Sequence, residues 1–99
     1  MKIAVCDDDI ATREHIVMLI KEQIKDITVV TFASGEEMLK AKEDFDILFL
    51  DVKMKELSGM DVAKHIRQEQ EQNGSKKSII IFVSGYEKYM NDAFDVLAF

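Results

Sequence analysis

The stretch Ile47-Leu48-Phe49-Leu50-Asp51-Val52-Lys53-Met54 opens with four consecutive apolar residues and then turns polar at a carboxylate. A run of that length without polar alternation is the pattern of a parallel strand covered on both faces. Residues 3–6 and 79–83 read the same way, while 27–32 is more mixed and suits a strand nearer an edge. Between these runs the apolar spacing changes to the helical period. Ile16, Val17, Ile20 and Ile24 recur on one face of a first helix, and Val62, Ala63 and Ile66 mark a third. Ser34 with Glu37 fits a capping box opening the second helix, and Ser58 with Asp61 fits a looser version opening the third. Asn73-Gly74 reads as the stop of that third helix. A last helix is predicted over 86–97, striped by Tyr89, Met90, Ala93 and Phe94. Four strand-then-helix units imply an α/β fold, a doubly wound parallel sheet with right-handed crossovers. Ligands of such sheets bind beyond the carboxyl ends of the strands, and function is sought there.

The 99 residues suit one domain. With 47% hydrophobic and 32% charged residues, the chain has material for both a core and a soluble surface, which argues against disorder. Thirteen basic against nineteen acidic side chains give a net charge of −6, which disfavours direct nucleic-acid binding by this segment. No apolar run reaches the ~18 residues of a membrane span, and the N-terminus lacks the apolar stretch of a secretory signal. A single cysteine cannot form an internal disulfide, so a cytoplasmic location is expected.

Two strands deliver carboxylates to one edge of the expected sheet. The first ends in Asp7-Asp8-Asp9 and the third in Asp51, while the fourth ends in Ser84-Gly85. Converging carboxylates repel and raise each other's pKa unless a cation sits among them. Mg²⁺ suits such a site, since it prefers oxygen ligands and commonly takes one or two carboxylates together with waters and a phosphate. A carboxylate beside bound Mg²⁺ can attack a phosphoryl group to form an acyl phosphate. A neighbouring hydroxyl could then donate to a phosphoryl oxygen.

Val5-Cys6-Asp7-Asp8, the 47–54 stretch, the Gly59-Met60 that follows and Ile81-Phe82-Val83-Ser84-Gly85 together resemble the receiver domain of two-component response regulators. The resemblance runs through the whole chain in order. The segments 84–89 and 93–99 are most similar to receivers that precede LytTR-type DNA-binding domains. It implies a flavodoxin-like receiver fold with strand order 2-1-3-4. It also implies Asp51 as phosphoacceptor, Asp8 as a direct Mg²⁺ ligand, Asp7 acting largely through water, and the Lys53 carbonyl as a further ligand. Ser84 matches the switch hydroxyl and Gly59 the turn glycine before the third helix. The implied function is a phosphoacceptor regulatory domain, not an enzyme in its own right. A sensor histidine kinase would phosphorylate it to control an attached output domain, in all expectation transcriptional.

Two departures from the family pattern stand out. Lys55 occupies the place of a usual proline after Met54, leaving that loop less restrained. The family's lysine at the end of a fifth strand would fall beyond Phe99. Residues 1–99 are therefore expected to be a receiver truncated before its fifth strand and helix, with the effector domain absent. An unpaired fourth strand would offer its edge to a second chain, so a homodimer through that edge is expected.

Other residues have plainer readings. Asp9 is expected to cap a helix, Cys6 to be buried and inert, and His15 and His65 to lie on helix surfaces away from any metal. The stretch 69–73 reads as a solvated helix end. Two competing functions remain on sequence grounds. Asp7-x-Asp9 after a strand prompts a Mg²⁺-dependent phosphohydrolase of the haloacid dehalogenase type, although Ala11 stands where that family has threonine or valine. The other is a receiver-shaped interaction module that is never phosphorylated.

Overall fold

Successive residues of a strand point to opposite faces, and in this chain both faces are apolar over the same short stretches. The computed structural model describes residues 1–83 in full and the backbone of residues 84 and 95–98. In chain order the elements are β1 (Lys2–Cys6), α1 (Ile10–Gln23), β2 (Thr28–Phe32), α2 (Gly35–Ala41), β3 (Ile47–Asp51), α3 (Gly59–Asn73), β4 (Ile79–Ser84) and β5 (Asp95–Ala98). The sheet order is β2-β1-β3-β4-β5. The first four strands are parallel, in the expected 2-1-3-4 order, and β2 takes the expected edge position.

Two layers of side chains follow from the alternation. Ala4, Cys6, Leu48, Leu50, Ile80 and Phe82 face α2 and α3, where they pack with Met38, Val62 and Ala63. Ile3, Val5 and Val83 face the other way, onto Ile16 and Ile20 of α1. The helix ends are fixed by the residues that the sequence suggests. The Ser34 hydroxyl accepts from the Glu37 amide, while the Glu37 carboxylate reaches back to the amide of Ala33 rather than to that of Ser34. Ser58 and Asp61 form the full reciprocal capping box, and α3 stops at Gly74 with φ of 66°. That left-handed conformation suits glycine and closes the last turn.

Three expectations are corrected. The end of the helix proposed over 86–97 is instead β5, and residues 86–94 lie outside the described residues. β5 runs antiparallel to β4, pairing Ile81 with Ala98 and Ser84 with Asp95. An open edge supplies unpaired backbone groups, and their satisfaction outweighs the helical spacing of a short segment. The same pairing occupies the edge offered to a second chain, so the homodimer argued from a free strand-four edge loses its template. This fifth strand is also not the parallel one that the resemblance implies. Finally, the stretch 69–73 is not wholly solvated. Gln70 is buried and its amide donates to the Ser78 hydroxyl at 2.9 Å, which in turn donates to the Phe45 carbonyl. A glutamine on the core side of α3 is stable there because its polar atoms are satisfied.

Candidate functional site

The parallel register brings the carboxyl ends of β1 and β3 side by side. Cys6 stands opposite Leu50, so the residues that follow, Asp7 just past β1 and Asp51 at the last position of β3, lie at the same level. Asp7, Asp8 and Asp51 each offer an oxygen within 4.8 Å of the others. Asp7 is only 3% exposed, Asp51 is half-buried and Asp8 faces solvent. The Asp7 amide donates to the Phe32 carbonyl at 3.1 Å, and its Oδ1 accepts the Asp9 amide at 2.9 Å. Asp51 Oδ1 accepts the Lys53 amide at 3.3 Å. The floor beneath is held by Cys6, whose thiol lies 3.7 Å from the Met54 sulfur and so ties the loop after Asp51 to β1.

Electrostatics mark the cluster as strained without a cation. Burial, and next the negative charge of Asp7, raise the Asp51 carboxyl from 3.8 to about 7. Burial likewise raises Asp7, against the lowering effect of the Asp9 amide. A carboxyl shifted this far beside like charges is what a hard divalent ion relieves. Three carboxylate oxygens from two loops, one of them solvent-facing, form a donor set that fits Mg²⁺ with several coordination positions left for water or a phosphoryl oxygen.

Asp9 is not part of the cluster. It stands at the N-cap of α1, where its carboxylate accepts the Thr12 hydroxyl at 2.6 Å, the bond that chiefly holds it below the usual carboxylate range. That placement removes the second aspartate on which the phosphohydrolase reading depended. Cys6 is buried, and burial pushes its thiol up to about 12, so it is inert as expected. His15 and His65 are exposed and stand outside the acidic cluster. Ser84 ends β4 one residue beyond Val83, the register partner of Asp51, and its side chain lies outside the described residues. The Lys53 amide points at Asp51.

Gly59 holds the site from behind. A Cβ there would meet the Asp51 carbonyl oxygen at 2.2 Å, so only glycine lets the first turn of α3 close on the end of β3. Its amide donates to the Val52 carbonyl at 3.0 Å. Arg13 escaped the sequence reading. Its Nη1 donates to the Asp7 carbonyl at 2.7 Å. The available signal was an arginine on the first helical turn after a strand-end acid, four residues past the cap.

The response regulator receiver domain family matches residues 3–99. The chain belongs to that family. Among relatives, the sensory transduction protein LytT of Oceanobacillus iheyensis is 32% identical over 98 residues, covering 97% of this chain and 39% of its own length. The transcriptional regulatory protein YpdB of Escherichia coli is 29% identical over 101 residues, covering the whole chain and again 39% of the relative. The chain thus spans about two-fifths of the length of these relatives. Among solved structures, the response regulator TrrA of Thermotoga maritima in complex with Mg²⁺-BeF is 31% identical with a TM-score of 0.71, over 92% of this chain and 75% of that one. TrrA in complex with the histidine kinase ThkA superposes with a TM-score of 0.70 at 30% identity, over 92% and 74% of the two chains. This receiver is therefore a regulatory domain of the two-component type. Among its described residues no helix is long and apolar enough to cross a membrane.

Proposed function

We propose that this receiver is phosphorylated on Asp51 in a Mg²⁺-dependent reaction by a sensor histidine kinase, and that the phosphoryl group controls an output domain elsewhere in the full protein. The observation that carries the reading is the meeting of Asp7, Asp8 and Asp51 within 4.8 Å, with Asp51 raised to about 7. Asp8 and Asp51 would hold the ion directly, Asp7 largely through water, and the Lys53 carbonyl would add a ligand. Bound Mg²⁺ supplies charge neutralisation and a hold on a phosphoryl oxygen.

The chain's own groups define the transfer. An Asp51 carboxylate oxygen attacks phosphorus, the bond from phosphorus to the donor's leaving group breaks, and the leaving group departs with that electron pair. The Lys53 amide, already on Asp51 Oδ1, orients the carboxylate. Ser84 at the end of β4 would donate its hydroxyl to the phosphoryl group, and the resulting shift is the proposed switch. The solved pair of TrrA with ThkA supports a kinase as donor. The relatives LytT and YpdB, the latter a transcriptional regulator by name, support LytTR-type transcriptional output. Incubation with radiolabelled acetyl phosphate tests the reading. Label should enter the parent chain with Mg²⁺, vanish with EDTA and be absent from Asp51→Asn. Equal labelling of parent and variant would refute it.

A further inference from the structure

Two acids of the site, Asp7 and Asp8, are carried by the short turn between β1 and α1, and a turn alone does not fix where carboxylates point. Residue 13 binds both ends of that turn. Its backbone amide donates to the Asp9 carbonyl at 2.9 Å, and its guanidinium Nη1 donates to the Asp7 carbonyl at 2.7 Å. The peptide plane makes the second bond consequential: the Asp7 carbonyl, the Asp8 amide and the Asp8 Cα belong to one rigid unit, so holding the oxygen restrains where the Asp8 Cα sits. It also turns that carbonyl to the guanidinium. Together with the Asp7 amide on Phe32 and Asp7 Oδ1 on the Asp9 amide, the backbone groups of Asp7 and Asp9 on either side of Asp8 all have partners.

We infer that Arg13 is a positioning residue for the metal centre, holding the Asp7-Asp8 peptide so that both carboxylates converge with Asp51 before the ion arrives. The inference rests on the Mg²⁺ site proposed above. Its sign is what makes it decisive. Considered only as a charge, a guanidinium beside three carboxylates competes with the incoming cation, and its removal would tighten Mg²⁺ binding. Considered as a clamp, its removal frees the peptide and weakens binding. The chain itself favours the clamp, since the guanidinium bonds the backbone oxygen and not one of the carboxylates. Lysine can reproduce the single donor to that oxygen but lacks the planar fork of arginine, so it should recover part of the effect.

The test is Mg²⁺ titration by calorimetry of the full chain, Arg13→Gln and Arg13→Lys, with thermal melts of each in EDTA. The expected result is a Kd about 10-fold weaker for Arg13→Gln, on the scale of other losses of ligand-orienting partners, with Arg13→Lys in between. Tighter or unchanged binding in Arg13→Gln would overturn the inference, and so would a lowered melting temperature at constant affinity, which marks a structural role alone. A parent chain that binds no Mg²⁺ would overturn the proposed site first and this inference with it, an outcome distinct from either variant result.

Discussion

Replacing Asp51 by asparagine should stabilise the metal-free protein above neutral pH. In the fold the Asp51 carboxyl is raised from 3.8 to about 7, first by burial and then by Asp7. A raised carboxyl means that the folded state holds its proton more tightly than the unfolded chain does. Stability therefore falls as pH rises from about 4 to about 7, and above that window the full penalty is present. Linkage alone would set the penalty at ~4 kcal/mol. Asp51 is half-buried, and solvent screening of its partly exposed charge reduces the expectation to ~1–2 kcal/mol. For a domain of this size that corresponds to roughly 5–10 °C in Tm. Thermal unfolding in EDTA at pH 8 should show Asp51→Asn melting higher by that margin, and at pH 4 the gap should close because Asp51 is then protonated. Saturating Mg²⁺ at pH 8 should also narrow it, by stabilising the parent alone. An asparagine variant no more stable than the parent at pH 8 would refute the view that these carboxylates repel one another in the fold.

Gly59→Ala should cost ~1–3 kcal/mol in urea unfolding, through overpacking against the Asp51 carbonyl, and should weaken Mg²⁺ binding in calorimetry by displacing that residue. Ser58→Ala should cost ~1 kcal/mol by removing the reciprocal cap of α3 while leaving Mg²⁺ affinity unchanged, so it serves as the stability control. Ser78→Ala should cost ~1–3 kcal/mol, because the Gln70 amide and the Phe45 carbonyl lose their shared partner inside the protein. A cost near zero in the same denaturation assay would show that water replaces the hydroxyl.

The parts of the fold legible in the sequence are those with unambiguous patterns. Parallel strands buried on both faces must be apolar throughout, so β1, β3 and β4 announce themselves, and the acids that end β1 and β3 stand out against them. The helix starts at Ser34 and Ser58 and the stop at Gly74 are equally local, since each satisfies backbone groups within one turn. β5 was not legible, because Asp95-Val96-Leu97-Ala98 carries no alternation and gains its strand conformation from the free edge of β4. Gln70 was misread because its partner, Ser78, lies past the end of the helix on the approach to β4. Arg13 was passed over for a related reason: its partner is a backbone oxygen, which leaves no trace in side-chain identity.

The central claim is that Asp51 receives the phosphoryl group. An acyl phosphate is reduced by borohydride to the corresponding alcohol, which marks the carboxylate that carried it. After incubation with acetyl phosphate and Mg²⁺ and then borohydride, peptide mass spectrometry should find homoserine in place of aspartate at position 51, with Asp7, Asp8 and Asp9 unchanged and no conversion in EDTA. Reduction at Asp7 or Asp8, or none at position 51 in a chain shown by calorimetry to bind Mg²⁺, would contradict the account.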